Sequence, residues 1–210
     1  KWRWILYDTD FGFGIWNVYD YMNNTLVFAT DDSGPGWPNP PWATLLFRRL
    51  LYNESFQTDF INRFCDILNT NFLPVNIINK INTKAAVIES EIPIHNQRWD
   101  YYISDWSNNV NLMRTFASNR SNHMKSHLQS FFSLSAMNTI SLGVSPVEAG
   151  LIQLNTLELN EFYWQGEYFG DVPITLTALP SIGFRFIGWE GLSQQEESVT
   201  LYLTQDLNVQ

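Results

Sequence analysis

The sequence predicts an α+β protein of two domains, a mainly helical one over residues 1–138 and a small all-β one over residues 139–210. Two observations carry this. From residue 42 to about residue 132, apolar residues recur every three to four positions, the period of helices that bury one face. From about residue 140 the period falls to two, in short runs separated by turn residues, which is the pattern of strands. At 210 residues, 45% of them hydrophobic and 16% aromatic, the chain can bury a sizeable core.

Residues 2–8 read as a strand entering a core, with Asp8 where the strand stops. The stretch from 11 to 41 is rich in Gly, Asn, Asp and Pro and is expected to be a long ordered loop, packed through Phe11, Phe13, Trp16, Tyr19, Tyr21 and Trp37. A first helix places Trp42, Leu45, Leu46 and Leu50 on one face. Ser55 can cap a second, whose apolar face is Phe56, Phe60, Ile61, Phe64, Ile67 and Leu68. Pro74 suits the first turn of a third helix with Val75, Ile78, Ile81, Ala85 and Ile88 inward, and Pro93 is expected to stop it. Residues 109–132 form one helix or two around Val110, Met113, Phe116, Ala117, Met124, Leu128 and Phe131. Strands are expected at 172–179, 183–189 and 198–203.

Charge separates the two parts. Residues 1–140 carry 11 Lys/Arg against 12 Asp/Glu, whereas residues 141–210 carry only Arg185 against 9 Asp/Glu. An acidic surface repels phosphate backbones and the first part has no basic stripe, so no nucleic-acid partner is expected. No apolar run approaches the roughly 18 to 20 residues that span a bilayer, so no membrane insertion is expected either. Lys1-Trp2-Arg3-Trp4 lacks the apolar segment of a signal peptide and no initiator Met precedes it; the chain is expected to open within a strand, with earlier parts of the gene product upstream. Cys65 sits in a helical apolar pattern and reads as a small core residue.

The chemical candidates are few. Asp8 and Asp10, at i and i+2 beyond a hydrophobic strand, can converge on a hard cation such as Mg²⁺, or can simply form a turn before Gly12 and Gly14. Asp10-Phe11-Gly12 matches the metal-binding tripeptide of protein kinases, a match of only three letters. His123 and His127, at i and i+4, have the spacing of half a zinc site, against the alternative of a polar helix face, and His95 has no partner visible in sequence. Trp99, Tyr101, Tyr102 and Trp106 are either a sugar-stacking platform or core.

The opening Lys1-Trp2-Arg3-Trp4-Ile5-Leu6-Tyr7-Asp8-Thr9-Asp10-Phe11-Gly12-Phe13-Gly14 resembles the strand and acidic motif of the CotH family of spore-coat kinases. The Gly/Pro/Asn loop, the segments beginning at Trp42 and Phe56, and Phe116-Ala117-Ser118-Asn119-Arg120 follow in the same order, extending the resemblance over about residues 1–134. It implies a kinase C-lobe-like helical domain from an enzyme that transfers phosphate from ATP to protein Ser or Thr hydroxyls. Asp8, with Asp10 second, would hold the Mg²⁺ that neutralises the nucleotide phosphates. The family's catalytic Asp, its Asn metal partner and its nucleotide-binding lobe are expected before this strand. The resemblance therefore implies a 210-residue chain that is inert alone and holds no cofactor tightly, while the longer parent uses Mg²⁺, ATP and a protein substrate.

The tail, with Gly166-Glu167-Tyr168-Phe169, Val172-Pro173-Ile174-Thr175-Leu176-Thr177-Ala178 and Gly183-Phe184-Arg185-Phe186-Ile187-Gly188-Trp189, resembles the internalin B-repeat type of β-module in bacterial surface proteins. That resemblance implies a secreted or cell-surface bacterial setting, with a spacer role or contact to the cell envelope or a glycan. The alternative to the kinase is a surface adhesion or carbohydrate-binding protein with a degenerate kinase-like domain.

Overall fold

The computed structural model describes residues 12–14, 17–33, 40–99, 106–160 and 163–210. Within them a helical region is followed by a β-rich one, so the architecture is α+β. The helices are α1 (Thr25–Thr30), α2 (Leu45–Leu50), α3 (Glu54–Leu68), α4 (Pro74–Ile88), α5 (Ile92–Arg98) and α6 (Trp106–Phe132). The strands are β1 (Met137–Gly143), β2 (Gly150–Leu154), β3 (Leu157–Leu159), β4 (Tyr163–Phe169), β5 (Ile174–Pro180), β6 (Ser198–Leu201) and β7 (Leu207–Val209). No helix of the described residues is long and apolar enough to cross a membrane. Two compact units emerge, one of Lys1–Asn24 with Asn71–Met124 and one of Thr25–Thr70 with Lys125–Gln210.

In the first unit, Ile81 of α4 and Val110 and Ala117 of α6 form a buried cluster, with Ile77, Ile78, Ala85, Trp106 and Met113 packed against it. The helical period is therefore real, but the apolar stripe is narrower than expected. Val75 and Ile88, expected inward, are exposed. Arg114 ties the same two helices from outside the cluster, donating from Nε to Asn82 Oδ1 at 2.8 Å. Pro93 begins α5 instead of stopping α4, because proline's fixed φ and missing N–H suit a first helical turn. The segment 109–132 lies within a single helix.

The second unit contains two sheets, ordered β4-β1-β7 and β3-β2-β5-β6. β1 pairs antiparallel with β4, from Met137 opposite Phe169 to Gly143 opposite Tyr163, and parallel with β7. All pairings in the other sheet are antiparallel. In β4 burial alternates, with Trp164, Gly166 and Tyr168 inward, as a strand with one covered face requires. Gly166 lies against the Trp164 indole, where a Cβ would come within 2.2 Å of the ring.

The strand expected at 183–189 does not form. Gly183 and Gly188 take φ of +92° and +151°, so that segment turns where a strand would run straight. Trp189 is nevertheless buried, its indole N–H donating to the Glu196 carbonyl at 2.8 Å. The stretch from 11 to 41, expected to be loop, holds a 3₁₀ turn at Asp20–Met22 as well as α1. Trp42, Leu45 and Leu46, expected as a packed face, are exposed.

Helix α3 joins this unit through both of its faces. Its cap is Asn53, whose side chain accepts from the Phe56 N–H at 2.9 Å, two residues earlier than the expected Ser55. On one side Phe60 is the hub of an aromatic cluster, with Phe47, Phe64 and Phe132 ring centroids at 5.3, 5.7 and 6.1 Å. On another, Asn62, Asp66 and Asn69 form a polar stripe at i, i+4 and i+7 that is buried against strands. Asp66 has no solvent exposure. It accepts from Tyr168 Oη at 2.8 Å, Thr156 Oγ1 at 2.6 Å, the Thr156 N–H at 3.2 Å and Asn155 Nδ2 at 3.3 Å. Asn69 pairs reciprocally with the backbone of Glu167, donating at 2.8 Å and accepting at 3.1 Å, and Asn62 donates to the Pro173 carbonyl at 2.7 Å.

A buried carboxylate persists only when its lone pairs are satisfied. Asp66→Ala is expected to lower the unfolding free energy by about 3 kcal/mol or more, because Tyr168 and Thr156 lose their acceptor. Tyr168→Phe, which removes one charge-assisted bond, should cost about 1.5–3 kcal/mol. Urea unfolding followed by circular dichroism measures both; wild-type stability in Asp66→Ala would refute the network's role.

Candidate functional site

The acidic pair Asp8 and Asp10, and with it the strand expected at 2–8, lies outside the described residues. What the structure does describe is the chain just beyond the pair and the helix that holds it. Phe13 and Gly14 both take left-handed conformations, with φ of +62° and +80°. For Phe13 that conformation costs on the order of 1 kcal/mol, and its ring is held against Phe116 of α6 at a centroid distance of 5.3 Å. Gly14 is required by its surroundings as well as its φ, since a Cβ there would stand 3.2 Å from the Asn17 carbonyl and 3.6 Å from the Phe116 ring.

Further along, Arg120 reaches from α6 to the same loop. Its Nη1 donates to the Tyr21 carbonyl at 2.9 Å and the Asn23 carbonyl at 2.7 Å, while its guanidinium lies 5.8 Å from the Phe116 ring centroid. Burial draws the Arg120 pKa below its ordinary value, yet a guanidinium stays charged across the physiological range. The two carbonyls and the aromatic face supply in place what water would otherwise supply. The Tyr21 ring in turn packs 5.4 Å from His123. Asp20 braces the 3₁₀ turn, accepting from the Asn17 N–H at 3.1 Å and from Asn23 Nδ2 at 3.1 Å. Ser121, the next residue of α6, donates to the Phe72 carbonyl at 2.8 Å. Phe116 and Arg120, one turn apart on α6, thus grip the loop that leaves the acidic pair at two points.

The donor set of the pair itself is chemically suited to a hard divalent cation: two carboxylates offer oxygen ligands only, which favours Mg²⁺ over softer metals. The other chemical candidates resolve differently. Among the described residues no group of three or more His, Cys, Asp and Glu side chains gathers to hold a metal, so His123 and His127 gain no further ligand. Trp106 belongs to the α4–α6 core and Trp99 is exposed, with the Arg98 guanidinium 5.2 Å from its ring centroid; Tyr101 and Tyr102 lie outside the described residues. Cys65 is buried, and burial, with the neighbouring Asp66 second, pushes its thiol up to about 12. It is a core residue with no nucleophilic role.

Arg120 falls within the Phe116–Arg120 segment of the family resemblance, and its sequence context alone gives it no role. The available signal was its spacing: an Arg one turn beyond an aromatic, on a helix otherwise poor in charge, is placed to stack on that ring and to bind carbonyls.

A family model described as CotH kinase protein matches residues 1–124, which is more than half of the chain. The matched span holds the acidic pair, the gripped loop, α1 to α5 and α6 as far as Met124, and leaves the strands outside it. No curated protein matches, and no solved structure matches.

Two expectations follow. Arg120→Lys keeps the charge and loses the fork, so amide hydrogen exchange across residues 17–24 should accelerate by about 10-fold or more; unchanged exchange would contradict the grip. The Cys65 thiolate should be absent in the folded protein at pH 8, so alkylation should proceed only at the rate of unfolding. Because the folded thiol titrates above the unfolded one at about 8.5, its contribution to stability is intact below that pH and is lost as pH rises toward about 12. Rapid alkylation of native protein at pH 8 would overturn this.

Proposed function

This chain belongs to the CotH kinase protein family, and we propose that it is part of a secreted bacterial protein kinase that transfers phosphate from ATP to Ser or Thr hydroxyls. The observation that carries this reading is a family match whose first residues contain the acidic pair. In this reading Asp8 is the principal carboxylate ligand of Mg²⁺ and Asp10 the second. The metal, when bound with ATP, supplies the positive charge that offsets negative charge on the leaving phosphoryl group.

The chain's own residues supply position. Phe116, Gly14 and Arg120 fix the path of the loop that follows the pair, and a ligand held by a fixed loop loses little further entropy when the metal binds. None of the 210 residues is assigned as catalytic base or as nucleotide-phosphate lysine. The chain alone is therefore proposed to give no turnover and to retain no cofactor. The strands at 137–209 are proposed as a B-repeat-like module that contacts the cell envelope or a glycan. Exposed Tyr163 and Tyr202 on that module also favour a second reading, a non-catalytic adhesion or carbohydrate-binding protein with a degenerate kinase-like domain.

Autophosphorylation of the full-length protein with labelled ATP and Mg²⁺ tests the proposal. Loss of a metal ligand removes several kcal/mol of transition-state stabilisation, so Asp8→Ala should lower labelling by about 100-fold or more. Asp10→Ala should lower it less. Equal labelling of wild type and Asp8→Ala would sink the assigned role, and absent labelling together with glycan-array signal from the full-length protein would favour the second reading.

A further inference from the structure

The second unit holds a cavity of about 430 Å³ lined by Arg48, Arg49, Tyr52 and Gln57 on one side and by Phe131 and Phe132 on another. Its cations are oriented before any ligand arrives. Arg48 Nη2 donates to the Pro41 carbonyl at 2.6 Å and its Nε faces Thr44 Oγ1 at 3.4 Å, which leaves the other N–H groups of a five-donor fork available. The Arg49 guanidinium lies 6.0 Å from the Tyr52 ring centroid. Gln57 is held by the Leu51 carbonyl at 3.4 Å.

Among the described residues the only salt bridge joins Lys125 and Glu167, so neither arginine is neutralised by a carboxylate of the described chain. In a protein of formal net charge −9, two adjacent arginines against the single carboxylate of Asp32 leave this cavity's lining net positive, a local inversion of field. Planar guanidiniums recognise phosphate through paired N–H groups.

We propose that this cavity binds a phosphorylated Ser or Thr side chain of a polypeptide. Three features select a polypeptide over other phosphates. Exposed Tyr52, which lines the cavity with Leu51, Phe131 and Phe132, offers apolar surface to residues flanking the phosphate. Asp32, also lining the cavity, favours a Lys or Arg neighbour in the bound sequence. The overall negative charge opposes the repeated phosphates of a nucleic acid. The inference rests on the kinase reading only in making the bound phosphopeptide a product or a previously phosphorylated substrate of the same enzyme.

The test is fluorescence anisotropy of the full-length protein with a labelled ten-residue peptide holding one phosphoserine beside a lysine, against its unphosphorylated twin. The phosphopeptide should bind at least 10-fold more tightly. Arg49→Ala, an exposed position, should erase that preference. Arg48→Lys should weaken it by about 10-fold while retaining charge, with circular dichroism confirming the fold. Asp8→Ala should leave binding unchanged, which separates failure of this proposal from failure of the catalytic one. Equal binding of the two peptides, an unaltered preference in Arg49→Ala, or displacement by inorganic phosphate as effective as by unlabelled phosphopeptide would each overturn it.

Discussion

A carboxylate without access to water sets the terms for the second unit. Asp66 is on α3, and the donors that satisfy it come from the turn between β2 and β3 and from β4. Any arrangement that separates α3 from those strands strands a charge, at a cost of several kcal/mol. The flanking amides extend the same constraint: Asn69 pairs with the backbone of Glu167 much as another strand would, and Asn62 reaches Pro173. Burial pushes the Tyr168 phenol far above its ordinary pKa, with Asp66 adding to the effect, so the donor stays protonated at any physiological pH. These contacts are directional where an apolar face would be permissive. They specify one register of helix on strands, and the Phe60 cluster adds the burial that makes it stable.

The first unit uses a different device. There the uncommon backbone is at Phe13 and Gly14, three and four residues past Asp10, and it is held by ring packing on Phe116 and by the Arg120 fork on two carbonyls. Strained loops held from a rigid helix are a common means of presenting ligands. Here the held loop follows the one acidic pair within the family-matched span that sequence reading singled out for metal. The helix is therefore the support in the proposed site, and the carboxylates are proposed to carry its chemistry.

The parts of the fold that were legible in sequence are those where periodicity and burial agree. Helices α3, α4 and α6 and strands β5 and β6 were readable because their core-facing residues recur at 3.6 or 2 residues. The misreadings share a cause, in that local pattern cannot say what lies opposite. Val75 and Ile88 continue the period of α4 past the end of its cover. The alternation at 183–189 is that of a strand, but its glycines turn the chain. The polar stripe of Asn62, Asp66 and Asn69 gives no apolar period, so its burial against strands left no periodic signal in the sequence. The acidic pair stands out in sequence as a metal candidate, whereas the grip of Phe116 and Arg120 does not, because it joins residues about a hundred positions apart.

Asp8 is proposed as a metal ligand at a site supported from α6. Water-proton relaxation with Mn²⁺ replacing Mg²⁺, measured on the full-length protein with ATP, tests it without relying on turnover. A protein-dependent enhancement is expected, lost in Asp8→Ala and reduced in Arg120→Ala. The same enhancement in wild type and Asp8→Ala would contradict it.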